Sequence, residues 1–177
     1  MEDLNIEEQV VLVDEQNEVL GYMGKLEAHK KGLLHRAISV IIFNNKGEML
    51  VQQRALTKYH WAGIWSNTCC SHPRKGESFQ AAAERRLFEE LGFKIPLKEE
   101  FQFIYKAYDE KSGLTEWEYD TVFTGIYTEP FEFNKEEIEA VRWMSMEDLV
   151  NDIEQKPEDY SFWFKIILDE MRQRNII

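Results

Sequence analysis

Four groups of side chains in this sequence have types and spacings suited to chemistry. Cys70 and His72 lie two residues apart in Asn67-Thr68-Cys69-Cys70-Ser71-His72-Pro73, and on extended chain that spacing turns both to one face. Glu116 and Glu118 repeat the spacing in a segment that reads as a strand, so two carboxylates share a face there. His29, His35 and His72 are three of the four histidines. Three imidazoles with two carboxylates would suit a six-coordinate divalent ion such as Mn²⁺ or Mg²⁺. Zn²⁺ is the other option, although its usual tetrahedral site would leave ligands over. Spacing alone does not bring His29 and His35 to His72, and His60 has no assignment.

The fourth group sits on a helix. The apolar residues Phe79, Ala83, Leu87 and Leu91 recur every four positions, and Gly92 follows where a left-handed helix stop is cheap. At about 100° per residue, Glu90 projects inside that apolar stripe, Arg86 borders it and Glu89 points away. A carboxylate on an inward face needs a cation or several donors. Two readings stand: an Arg86–Glu90 pair at the ordinary spacing, or a ligand for a metal ion that holds phosphate oxygens.

The elements that must position these groups follow from pattern. Val10–Val13 and Glu18–Tyr22 read as short strands around a polar turn. Lys25 and His29 lie in a mixed segment ending at Gly32. The β-branched run Ala37–Phe43 is a buried strand, Asn44–Gly47 a hairpin turn, and Met49–Gln53 its partner. Residues 54–66 read as a loop with aromatic walls. Phe101–Tyr108, Glu116–Tyr127 and Ala140–Met144 are further strands. A helix capped by Ser145 runs to about Ile153, and Pro157 separates it from an amphipathic helix over Tyr160–Arg174. Strands mixed with about three helices make residues 1–177 a single α/β or α+β domain.

Charge narrows the partners. A net charge of −12 argues against a nucleic-acid or anionic-membrane binder. Yet between Ala28 and Gly76 the only acid is Glu48 among eight lysines and arginines, so that segment carries about +7. A basic stretch inside an acidic chain suits a small anion, although Lys30, Lys31 and Lys46 read as solvated loop residues. The acidic N-terminus lacks a hydrophobic signal core, no apolar run spans a membrane, and the adjacent Cys69 and Cys70 offer no loop to staple. A cytoplasmic monomer or homodimer is expected.

The segment Glu77–Phe93 resembles a Nudix box, the helix-and-loop signature of a diphosphate-binding superfamily. Glu77, Arg85, Glu89, Glu90 and Gly92 match its pattern, while Ser71 replaces the opening Gly and Arg86 replaces the Glu after Arg. The second departure removes a metal-binding carboxylate common in the hydrolases and weighs against hydrolysis. From Lys25 to Trp163 the chain is similar to the type I isopentenyl-diphosphate isomerases, which use the Nudix fold, a mixed sheet flanked by helices. That similarity rests on Lys25, His29, His35, Arg54-Ala55-Leu56-x-Lys58, Trp65-x-Asn67 through Pro73, Tyr105, Glu116-x-Glu118 and Trp163 in order.

The resemblance implies an isomerase of isoprenoid biosynthesis that interconverts isopentenyl and dimethylallyl diphosphate through a tertiary carbocation. It assigns proton delivery to Glu118 with Tyr105, proton removal to Cys70, and a cation-facing π surface to Trp163. Lys25, Arg54, Lys58 and Arg86 would bind the diphosphate, with Glu90 holding its Mg²⁺. His29, His35, His72, Glu116 and Glu118 would form a separate metal site, and Cys69, with no assigned role, is expected only to pack. The rivals are a Nudix hydrolase of nucleoside diphosphate derivatives and an inert metal- or diphosphate-binding protein.

Overall fold

The computed structural model describes residues 8–58 and 60–177. Among these, nine strands enter one mixed sheet: β1 (Gln9–Val13), β2 (Val19–Gly24), β3 (His35–Phe43), β4 (Met49–Arg54), β5 (Trp65–Ser66), β6 (Cys69–Ser71), β7 (Lys98–Asp109), β8 (Leu114–Ile126) and β9 (Ile138–Met144). The helices are α1 (Lys25–Lys31), α2 (Phe79–Leu91), α3 (Met146–Gln155) and α4 (Phe162–Gln173).

β3 is the hub. It runs parallel to β8 and antiparallel to β6, and it touches β1 and β4. Ala37 through Ile42 are all buried, as expected of a strand covered on both faces. Ile38, Val40 and Ile42 pack with Ala82, Ala83, Leu87 and Leu91 of α2, while Ile41 packs with Phe164 and Ile167 of α4. The sheet is therefore a middle layer between helices, the mixed α+β arrangement expected. The same alternation separates the two cysteines. Cys69 faces the α2 side of the core and Cys70 the α4 side, and both thiols are free.

Helix α2 has the bounds that its periodicity predicts. Ser78 Oγ accepts the Ala81 N–H at 3.1 Å, which satisfies one of the unpaired amides of the first turn. At the other end Gly92 adopts φ 76° and donates to Phe88 O at 2.9 Å. A β-carbon at 92 would lie 2.7 Å from Glu132 O. Gly92→Ala is therefore expected to destabilise the fold by roughly 1–3 kcal/mol, measured as a lower urea midpoint. Asn134 N–H also donates to Glu90 O at 2.8 Å, so a shift here disturbs the helix end that carries Glu90.

Several segments depart from the sequence reading: Trp65–Ser66, inside the expected 54–66 loop, pairs as a short strand, and β9 begins two residues early, at Ile138. Lys25–Lys31 is a short helix, closed by Gly32 at φ 61°; two turns are too few to display an apolar stripe. The last helix starts at Phe162, because Ser161 takes the N-cap and Tyr160 stays extended, its hydroxyl donating to Asp152 at 2.6 Å. β7 begins three residues early, at Lys98. Among the described residues no helix is long and apolar enough to cross a membrane.

Candidate active site

Strand register assembles the site. β8 lies between β7 and β3, and Tyr105, Glu118 and His35 are partners in one row across these three strands. Along β8 the residues Leu114, Glu116, Glu118 and Asp120 are buried, whereas Thr115, Trp117 and Tyr119 are half-buried. β6 sets Cys70 opposite Ser39 of β3, and His72 follows at its end. α1 delivers His29.

The result is a buried group in which His29, His35, His72, Glu116 and Glu118 offer ligand atoms within 4.8 Å of one another. His29 Nε2 lies 3.1 Å from Glu116, and His72 and His35 Nε2 lie 2.9 and 3.5 Å from Glu118 Oε1. The Tyr105 hydroxyl donates to Glu118 Oε2 at 2.6 Å. His35 Nδ1 donates to Leu33 O at 2.8 Å, which turns its Nε2 toward the cluster, where that buried atom has no hydrogen-bond partner. Two buried carboxylates facing three imidazoles within one small cluster are a donor set that fits a divalent metal.

Burial would raise the Glu118 carboxyl, but the facing His35 and the Tyr105 hydroxyl hold it at about 2. Burial pushes the Tyr105 phenol up and His72 down, so Tyr105 keeps its proton and His72 stays neutral.

Cys70 lines the same cavity as Glu118, a space of about 40 Å³ shared with Lys25, Arg54, Tyr105 and Trp163. Its Sγ accepts from Trp163 Nε1 at 3.1 Å and donates to Asn67 Oδ1 at 2.9 Å. Burial, reinforced by Asp120, pushes its thiol up to about 12. Alkylation by iodoacetamide should therefore be slow at pH 7 and gain about tenfold per pH unit through pH 9 without a plateau, since only the thiolate reacts. A plateau below pH 8 would contradict a protonated resting thiol. Mass spectrometry should find one adduct per chain, because Cys69 is fully buried.

A second, smaller polar recess of about 10 Å³ adjoins Cys70 and is lined by Gln52, Arg54, Lys58, Glu90 and Glu137 among others. Here Arg86 pairs with Glu90 at 2.7 Å and with Glu137 at 3.3 Å, and Lys58 pairs with Glu137. Gln52 donates to the other oxygen of Glu90 at 2.9 Å. The inward Glu90 thus makes the Arg86 pair that its helical position allowed. Glu77 and Arg85 interlock at 2.7 Å, fixing the loop before α2 to the helix.

The structure divides the expected anion-binding residues. Arg54 reaches both recesses, Lys25 lines only the histidine side, and Lys58 only the Glu90 side. Four neighbours escaped the sequence reading. Asp120, its acid form favoured by burial, accepts from Ser39 at 2.7 Å, and it continues the Glu116-x-Glu118 alternation that could have revealed it. Asn67 is inside the quoted motif. Glu137 and His60 carry no spacing signal. His60 Nε2 lies 2.7 Å from Glu116 Oε1, and burial lowers its imidazole pKa.

A family model described as NUDIX domain matches residues 33–164. The fold agrees with solved structures at 19% identity: DR0079 from Deinococcus radiodurans (TM-score 0.68, covering 84% of this chain and 90% of that one) and the MutT protein from Methanosarcina mazei Go1 (0.65, 80% and 95%). The chain belongs to the Nudix superfamily. Over nearly its whole length it is also similar to curated relatives named isopentenyl-diphosphate Delta-isomerase. The one from Photorhabdus laumondii is 44% identical over 171 residues (97% of this chain, 96% of the relative), and the one from Serratia proteamaculans 39% over 166 residues (94% and 92%). Within the superfamily, it belongs to the isopentenyl-diphosphate Delta-isomerases.

Proposed function

We propose that the chain interconverts isopentenyl diphosphate and dimethylallyl diphosphate by moving a proton on at C4 and off at C2. One observation carries the reading: a hydrogen-bonded carboxylate–phenol pair, Glu118 with Tyr105, shares a cavity with a thiol, Cys70, and an indole, Trp163. An unactivated alkene needs a positioned acid and a separate base, and this pairing offers both.

In the forward direction the Glu118 carboxyl proton adds to C4, leaving a tertiary cation at C3. The C2 proton then passes to the Cys70 thiolate, and the electron pair of that C–H bond becomes the new C2=C3 bond. The Trp163 ring supplies a π face worth ~2 kcal/mol to a desolvated cation. Burial of the site keeps water from capturing that cation as an alcohol. Lys25, Arg54, Lys58 and Arg86 bind the diphosphate, guanidinium groups being suited to bidentate phosphate contacts.

A Mn²⁺ or Mg²⁺ ion at His29, His35, His72, Glu116 and Glu118, and a Mg²⁺ ion at Glu90, would supply positive charge to the buried carboxylates and to the diphosphate respectively. The resting protonation, thiol on Cys70 and carboxylate on Glu118, suits the reverse reaction. Forward turnover needs the proton on the carboxyl instead, so the pair must exchange protons with water. A reducing cytoplasm would keep Cys70 a thiol.

Proton NMR of isopentenyl diphosphate with the purified protein and Mg²⁺ in D₂O tests this. Growth of dimethylallyl methyl signals with deuterium incorporation and no free phosphate is expected. Unchanged substrate, with phosphate released instead from nucleoside diphosphate derivatives, would replace the isomerase by a hydrolase.

A further inference from the structure

The loop between β4 and β5 holds His60, which the mechanism above does not use. Its ring reaches across the cavity to β8, where Nε2 lies 2.7 Å from Glu116 Oε1, and both side chains are almost fully buried. The other carboxylate oxygen, Oε2, faces His29 Nε2 at 3.1 Å. With its proton on Nε2, His60 donates to one oxygen and leaves the second directed into the histidine cluster. A carboxylate gripped at one oxygen presents a single, oriented ligand atom at the other, the arrangement that outer hydrogen bonds impose on metal ligands.

The backbone around His60 is fixed as well. Arg54 donates to the His60 carbonyl at 3.3 Å and to the Trp61 carbonyl at 3.1 Å. Trp61 adopts φ 54°, a left-handed conformation uncommon for a bulky side chain, and its ring meets Trp163 edge-on at 5.5 Å. Such a conformation persists only where its surroundings over-determine it, and it is often kept at functional sites. Here the preceding His60 ring is anchored on Glu116, and the Arg54 guanidinium holds the carbonyls of both His60 and Trp61.

We propose that His60 is a positioning residue for the metal centre: its imidazole holds Glu116 in its ligating pose and clips to that centre the loop that follows Arg54 and carries Lys58. His60 is not itself a ligand. The proposal rests on reading the His/Glu cluster as a metal site.

Titration of the metal-free protein with Mn²⁺, followed by electron paramagnetic resonance, tests it without recourse to turnover. His60→Ala should weaken Mn²⁺ binding by about 10- to 100-fold. His60→Gln, whose amide nitrogen can take the place of Nε2 as donor, should recover most of that loss. Electron spin echo modulation should count the three imidazoles of His29, His35 and His72 in the native protein and in the Gln variant alike. Should the Ala variant fail to fold, His60→Leu fills the same space without a donor and replaces it. An affinity unchanged in the Ala variant, a Gln variant as weak as the Ala one, or a fourth imidazole signal that vanishes with His60 would each overturn the proposal. Native protein that takes up no Mn²⁺ at all would instead overturn the metal site beneath it.

Discussion

Cys70→Ala is expected to slow isomerisation by on the order of 10³-fold while leaving the fold and the diphosphate grip intact. The structure separates these effects. Removing Sγ leaves Trp163 Nε1 its second acceptor, Ser66 Oγ at 2.9 Å, and leaves Asn67 Oδ1 the Ser66 hydroxyl at 2.9 Å. No buried polar atom of that group loses its last partner, so the melting temperature should move little. Lys58 lines the other recess and Arg86 pairs with Glu90 of its wall, so the affinity for unreacted isopentenyl diphosphate, read by calorimetry, should stay near native. Cys70→Ser sharpens the result. It keeps the hydrogen-bonding geometry but replaces the thiol with a far weaker acid, so it should be as inactive as the alanine variant. A serine or alanine variant with more than about a tenth of the native rate would mean that the C2 proton leaves by another route, because a lost base costs at least 10²-fold.

What the sequence could reveal of this site depended on how locally each residue is placed. The alternation of Glu116 and Glu118 needs only a strand, and β8 provides it. The α2 stripe with its Ser78 cap and Gly92 stop is equally local, which explains why its limits and the inward Glu90 were legible. The meeting of His29, His35 and His72 is not local. It depends on the parallel register that sets His35 beside Glu118, on a two-turn helix that carries His29, and on the exit of the chain from β6. Only the ordered match of motifs to a family linked these residues in advance. Arg86 illustrates the limit of both routes. Its spacing to Glu90 was readable, but its tie to Glu137 joins α2 to the start of β9, and no period in the sequence encodes that contact. His60 is the same case: a loop residue whose partner lies 56 positions away.

Glu118→Gln should have a larger effect than the loss of Cys70, because the proposed mechanism gives one side chain two duties. Its Oε1 faces His72 and His35 in the cluster, and its Oε2 accepts the Tyr105 hydroxyl. The amide has no proton of carboxyl acidity to give and is a poorer metal ligand, so a loss beyond about 10⁴-fold is expected, the upper end for a single proton carrier with a ligand defect added. Glu116→Gln isolates the second duty, since Glu116 contacts His29 and His60 but not Tyr105. Both variants should bind Mn²⁺ more weakly, and raising the metal to saturation should restore much of the rate to Glu116→Gln and little to Glu118→Gln. If saturation restored both alike, Glu118 would be only a ligand. The proton would then have to come from Tyr105, whose hydroxyl already lies 2.6 Å from that carboxylate, and Tyr105→Phe would become the inactive variant. If Glu118→Gln alone stays inactive, its carboxyl is the group that hands the proton to C4, and the Tyr105 hydrogen bond serves to orient it.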